Sequence, residues 1–508
     1  MDPCRLLLVG FCLAPSLLAA ADLNSIGVAF LRSLDPSLQG SGINVVHPEA
    51  PISGNLFEVN PAVIGQPSSL FTWISSTGTN SAYPNTAGGE SGHADAVADA
   101  FYGVAGVAPG VAHVDNYEGQ FFYDSRIVSQ TAIAGKIVNQ SFVFTPPGTV
   151  ENMAYDNYAA LFGTLFVNGA GNSGNVYPPA SSYNCVAVGA YGGSSSIGSS
   201  DGRSKPDITA PASLTSFSTP LVAGAAAVLL QAANRNDGGT ATASRAGDLR
   251  TLKALLMNGA EKPQDWMHVA PAPLDPRYGA GVLNLWNSYR QLRGGKQAFN
   301  FSTANAIGGA HPPPSGTNSL PTRRGWDQNT ISNPVTQEAV NHYLIDLRGA
   351  TNRSFTLKAT LVWLRQQNLT AINDLDLFLY NSNTLVASSQ STVDNVEHLY
   401  LTNLPPARYD LQVLKNGLTK RITMPESYAL AFEFGPPQDA RVTSQGVLSG
   451  QFQGRVTGEP NQNYTVYRTT SFSSWTPVVT NRTSAEGLFD FTDPTGSAHR
   501  FYRAKLVP

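Results

Sequence analysis

Thr215-Ser216-Phe217-Ser218-Thr219-Pro220 runs straight into Leu221-Val222-Ala223-Gly224-Ala225-Ala226-Ala227-Val228-Leu229-Leu230. A turn of small residues carrying a serine therefore opens an apolar, alanine-rich run without a charge. That composition predicts a buried helix with Ser216 at its start. There a hydroxyl is held rigidly, and the unpaired N–H groups and positive dipole end stabilise developing negative charge. Pro220 is read as lying in the first turn, where its missing N–H costs nothing. The segment alone also fits a plain cap, since Ser and Thr commonly cap helices. The surrounding residues decide between cap and nucleophile.

Those surroundings form an ordered series. Gly92-His93-Ala94-Asp95-Ala96-Val97-Ala98 is followed by Gly106-Val107-Ala108-Pro109-Gly110-Val111-Ala112, then by Val138-Asn139-Gln140-Ser141. Phe166-Val167-Asn168-Gly169-Ala170-Gly171-Asn172-Ser173-Gly174 and Lys205-Pro206-Asp207-Ile208-Thr209-Ala210-Pro211 come next. Together these blocks, and Tyr278-Gly279-Ala280-Gly281 downstream, resemble the subtilisin-like serine proteases. The resemblance implies that Ser216 is the nucleophile and His93 the general base. It also implies that Asn172 supplies a side-chain amide to the oxyanion hole, and that Asn139, Ser141 and Gly169 line the substrate. The implied fold for residues 22–295 is α/β, a mostly parallel sheet with helices on both faces.

The third triad member departs from the family pattern, which has an aspartate after the first core strand. Here the candidate strand Gly42-Ile43-Asn44-Val45-Val46 runs into His47-Pro48-Glu49-Ala50, which puts Glu49 at the equivalent position. A glutamate can accept Nδ1–H from the histidine and stabilise the imidazolium as an aspartate does. Asp95 and Asp35 are the alternatives, and a surface carboxylate is the bland reading of Glu49. Asp95, two residues beyond His93 on a helix, is expected to point elsewhere. Leu214 replaces the family's Gly before Thr-Ser. Phe142-Val143-Phe144 stands where the specificity-pocket wall is expected, either narrowing the pocket or packing in the core.

The resulting expectation is a serine endopeptidase acting on proteins or peptides through Glu49, His93 and Ser216, with Asn172 in the oxyanion hole. The competing class is a catalytically inactive subtilase-fold binding protein of the cell surface, favoured by the altered neighbours of the site. Only 13% of the 508 residues are charged and the net charge is −3, which gives no basis for nucleic-acid binding. Arg5 before the apolar stretch Leu6 to Leu18 and Ala19-Ala20-Ala21 reads as a signal peptide over 1–21, and hence secretion. No later apolar run is long enough for a membrane span. Cleavage would leave Cys185 alone, read as an inert core residue.

After residue 295 the character changes. Residues 296–320 read as a linker, rich in Gly and Pro around Gly308-Gly309-Ala310-His311-Pro312-Pro313-Pro314. Alternating runs such as Phe355-Thr356-Leu357-Lys358-Ala359-Thr360-Leu361-Val362-Trp363 predict an antiparallel, jelly-roll-like β-sandwich over 321–437. Residues 438–508 read as a small C-terminal β module, expected to contact a cell surface or glycan if its aromatics are exposed. No cofactor is required. Calcium is considered only as a structural ion at Asn373, Asp374 and Asp376, with a polar turn as the plainer reading.

Overall fold

Short β-branched and aromatic runs build the centre of the molecule. The computed structural model describes residues 23–507 apart from 52–53, 145–148, 240–242, 316–317, 333–335, 350–353, 418–424, 436–439, 459–462, 472–473, 485–487 and 497–498. The signal-peptide reading of 1–21, with Cys4 and Cys12, falls outside the described residues.

Eight strands form one sheet, in the order Ile208–Pro211, Cys185–Tyr191, Leu165–Gly169, Ile137–Gln140, Asn44–Glu49, His113–Glu118, Phe71–Ser75 and Gly78–Asn80. Neighbours pair in parallel except the last, which runs antiparallel to Phe71–Ser75. Both faces are buried, and the side chains divide between two cores with the period of two that a strand dictates. Val45, Ile137, Leu165 and Val167 enter the larger core with Ala94, Val222 and Leu255 from helices on that side. Val46, Val138 and Phe166 face the opposite way, into an aromatic core with Tyr155 and Tyr158 of the helix Thr149–Phe162. Helices therefore cover both faces of a mostly parallel sheet, the arrangement expected from the resemblance.

The helix Thr215–Asn234 is the centre of the larger core. It is long and apolar enough to cross a membrane, but most of its side chains are buried inside the protein. It is a core helix. Pro220 does not lie in its first turn as expected; it is the sixth helical residue. Its missing N–H would have bonded the carbonyl of Ser216, four residues back. That carbonyl instead accepts a hydrogen bond from Ser141 Oγ at 2.9 Å, so the site itself uses the group that proline frees. Leu214 causes no difficulty in place of glycine, because its backbone is extended (φ −137°, ψ 154°).

Antiparallel sheets follow. One has five strands, in the order Phe301–Ala306, Gln337–Asp346, Arg408–Lys415, Leu375–Asn381 and Thr384–Ser389. The other has four: Arg324–Ile331, Glu426–Gly435, Phe355–Trp363 and Val396–Leu404. Phe301–Ala306, within the stretch read as a linker, pairs along its whole length with Gln337–His342. Contacts divide the chain into two compact units. The first runs to Leu344 and includes Ala359–Leu399 and Asp410–Phe432; the second comprises Ile345–Lys358, Tyr400–Tyr409 and Glu433 onward. Within the first, Val362, Leu364, Val396, Ala429 and Ala431 share the large core of the parallel sheet. The second contains two three-stranded sheets over residues 441–506, closed on Val456, Tyr464, Val466, Phe489 and Phe491. Phe452 and Tyr502 stack there at 4.5 Å, so these aromatics form the module's own core.

Candidate active site

In a parallel sheet with helices on both faces, ligands meet the carboxyl ends of the strands. Glu49 is the last residue of the central strand Asn44–Glu49 and is fully buried. His93 is the second residue of the helix Gly92–Phe101, whose first turn is capped by Ser91 Oγ accepting from the Ala94 N–H. The structure brings the two together: His93 Nδ1 donates to Glu49 Oε1 at 2.8 Å. Burial pushes the Glu49 carboxyl up, but the imidazoles of His93 and His47 outweigh it and hold the group at about 2. Burial likewise opposes charge on His93, and Glu49 overcomes it, raising the imidazole above its ordinary value.

The alternatives for the acid lie elsewhere. Asp95 accepts from the Asn60 N–H at 2.7 Å and is pushed up to about 7 by burial. Asp35 pairs with Arg235 at 2.6 Å.

Ser216 is the second residue of its helix, half-buried, with its N–H among those a helix start leaves without an intrahelical acceptor. Its Oγ donates to the Ser141 carbonyl at 3.3 Å rather than to His93, while the Phe217 ring lies 6.0 Å from the His93 ring. Ser141 and Ser216 thus exchange hydrogen bonds reciprocally. Asn139 is fully buried behind them, with Nδ2 on Ser141 Oγ at 3.3 Å. Asn172 is exposed, and its Oδ1 accepts from both the N–H and the hydroxyl of Thr215, at 2.9 and 3.0 Å. With Oδ1 fixed, the Nδ2 group is the donor left to face a substrate.

Two glycines make this geometry possible. Gly171 has φ +96°, a backbone that side chains rarely adopt, and so turns Asn172 toward the helix. A Cβ on Gly169 would sit 3.1 Å from Thr219 Oγ1 and 3.4 Å from Thr215 Oγ1, so its bareness lets the serine helix approach the strand end. Phe142 and Phe144 pack in the aromatic core with Tyr123 and Tyr155, which decides between the two readings of those residues.

Residues 72–281 match the subtilase family. Over those residues the chain is similar to the subtilases. The match includes His93, Asn139, Ser141, Gly169, Asn172 and Ser216, and Glu49 lies before it. No curated protein matches the chain. Among solved structures, tripeptidyl peptidase 2 is 12% identical over 82% of this chain and 52% of its own, with a TM-score of 0.31. Fervidolysin from Fervidobacterium pennivorans, a keratinolytic enzyme related to subtilisin, is 14% identical over 93% of this chain and 77% of its own, with a TM-score of 0.40. The chain therefore spans about half the length of the tripeptidyl peptidase. The subtilase match supports a serine protease.

Elsewhere, Asn373 donates to Glu426 Oε2 at 2.5 Å, and burial together with Asp374 and Glu338 pushes the Asp376 carboxyl up to about 8. Among the described residues no group of three His, Cys, Asp or Glu is placed to hold a metal ion. Cys185 is buried and free, its thiol pushed up by burial, which suits packing and not nucleophilic attack. Sequence reasoning missed one neighbour of the site. His47, which the sequence reading gave no role, lies against Glu49. Its spacing two residues before the acid on one strand, and so on the same face, was the available signal.

Proposed function

We propose that this protein is a secreted serine endopeptidase whose triad is Glu49, His93 and Ser216. The observation that carries the proposal is the 2.8 Å bond from His93 Nδ1 to the buried Glu49 carboxylate. That bond fixes the tautomer with Nε2 unprotonated, the form a general base needs. In the reaction the Ser216 hydroxyl turns from the Ser141 carbonyl to His93 Nε2. Resting serine proteases commonly hold this bond long or misaligned. His93 takes the proton as Ser216 Oγ attacks the peptide carbonyl, and returns it to the leaving amine as the acyl-enzyme forms. Water then attacks the ester by the same proton route in reverse order. The oxyanion of each tetrahedral intermediate is met by the Ser216 N–H and Asn172 Nδ2. Ser141 bonds the nucleophile's carbonyl and hydroxyl, Gly169 lets the serine helix approach the strand end, and Asn139 supports Ser141. Protein or peptide chains are the substrates, and the segment 1–21 directs export.

Hydrolysis of an unstructured protein such as casein tests the reading. Wild-type protein is expected to release peptides, and Ser216→Ala to release none above background. Casein left intact by folded wild-type protein would favour the inactive, binding-protein reading.

A further inference from the structure

We propose that His47 is a positioning residue for the triad: with Tyr102 it holds the second oxygen of the Glu49 carboxylate and so fixes the acid against His93. The proposal rests on the triad reading above. His47 and Glu49 alternate with Pro48 on the central strand and therefore share one face. His47 Nε2 lies 3.4 Å from Glu49 Oε2, and both side chains are buried. The pair is within ion-pair distance, and neither His47 Nε2 nor Glu49 Oε2 makes a hydrogen bond among the described residues, so each is the nearest group that can serve the other. A carboxylate only accepts, so the nitrogen facing it must carry the hydrogen. On the far side of the ring, Nδ1 lies 2.8 Å from the Tyr102 hydroxyl. Burial keeps Tyr102 protonated by raising its phenol far above the usual range, so its O–H can serve Nδ1 and leave the hydrogen on Nε2.

Tyr102 follows the helix Gly92–Phe101 that carries His93, so one helix and its cap grip both imidazoles. Each oxygen of Glu49 then faces one imidazole: Oε1 that of His93, Oε2 that of His47. A glutamate has one more rotatable bond than an aspartate, and a second anchor removes the freedom that bond adds. The other groups near the pair are accounted for. The Asp95 charge acts on Tyr102, Asp95 itself feels the charges of Glu90 and, less, Glu49, and Glu118 turns to the N–H groups of Gln120 and Phe121. Asn116, beside His47 in the sheet, donates to the His47 carbonyl.

The test is the rate of Ser216 labelling by a fluorophosphonate between pH 5 and 9, in wild-type, His47→Leu, His47→Gln and Tyr102→Phe proteins. Near-ultraviolet circular dichroism confirms folding. Loss of the His47 donor is expected to slow labelling about 10- to 100-fold, the usual cost of misplacing a catalytic group. It is also expected to move the acid limb to lower pH, because a carboxylate no longer fixed against His93 stabilises the charged imidazole less. His47→Gln, which keeps an N–H, should recover much of the rate, and Tyr102→Phe should produce a smaller shift in the same direction. Wild-type rate and an unmoved limb in folded His47→Leu would overturn the proposal while leaving the triad intact. Failure of wild-type protein to label at all would overturn the triad reading and the proposal with it. Should His47→Leu not fold, an unmoved limb in both His47→Gln and Tyr102→Phe is the contradicting result.

Discussion

At Glu49, burial and two imidazoles act in opposite directions, and the imidazoles prevail. The sign of the pH dependence follows. A carboxyl held at about 2 against an ordinary 4.5 contributes stability that is complete above 4.5 and lost as pH falls toward 2. His93, raised above 6.5, contributes stability that is present below 6.5 and lost as pH rises through its folded value. The melting temperature of wild-type protein should therefore exceed that of Glu49→Gln most between pH 4.5 and the His93 value, with the gap closing toward pH 2. A gap independent of pH would contradict the pairing. Activity needs neutral His93, so the acid limb of kcat/KM should lie above 6.5. At Asn172, replacement by Ala should slow turnover by about 10²–10³ with little change in KM, measured on one peptide substrate; that range comes from the subtilisin example itself. His93, Asn172 and Ser216 stand out in the sequence because each sits in a local motif, and Glu49 only by its place after the first strand; the structure adds the contact of Glu49 with His93. The role of His47 was not legible in the sequence, since it depends on a helix end that brings Tyr102 across from residues far along the chain.

At the scale of the element, the serine helix and the strand end Asn139-Gln140-Ser141 are fitted through Pro220. Proline withholds one N–H, the Ser216 carbonyl is left over, and Ser141 Oγ takes it. Ser141→Ala should cost about 1–3 kcal/mol, the penalty for an unsatisfied buried acceptor. In a Pro220→Ala background the same change should cost less, because alanine returns the N–H to the helix ladder. Chemical denaturation of the four proteins measures the difference, and simple additivity would contradict the link. Sequence reasoning placed the helix correctly but Pro220 one turn too early, since the exact start of a helix depends on what caps it. The Lys205-Pro206-Asp207 block is explained at the same scale. Asp207 is buried with Lys205 at 2.8 Å and Lys253 at 3.1 Å, and accepts the Ala187 N–H at 2.7 Å. It joins two neighbouring strands to the helix Leu249–Gly259. Asp207→Ala strands two buried ammonium groups and should destabilise by about 3–5 kcal/mol, read as a fall in the denaturation midpoint.

On the scale of the whole molecule, residues beyond 295 take part in the same compact unit as the parallel sheet. Arg365 pairs with Asp156 at 2.9 Å, and its backbone N–H and carbonyl both bond the Asn184 side chain. Thr360 donates to Asn258, and Asp394 accepts from the Ser204 N–H. Composition could show a change of character after residue 295 but not these contacts, which join residues far apart in sequence. Arg365→Ala leaves the Asp156 carboxylate buried without its guanidinium and should lower the melting temperature by several degrees. An unchanged melting temperature would mean that the contact carries no stability. The central claim concerns three side chains, and a mapped covalent adduct tests it most directly. Full-length protein treated with a fluorophosphonate and digested for mass spectrometry should carry the adduct on Ser216 alone. The adduct should be lost in His93→Ala and strongly reduced in Glu49→Gln. Modification of another residue, or equal labelling of Ser216 in folded Glu49→Gln, would contradict the account.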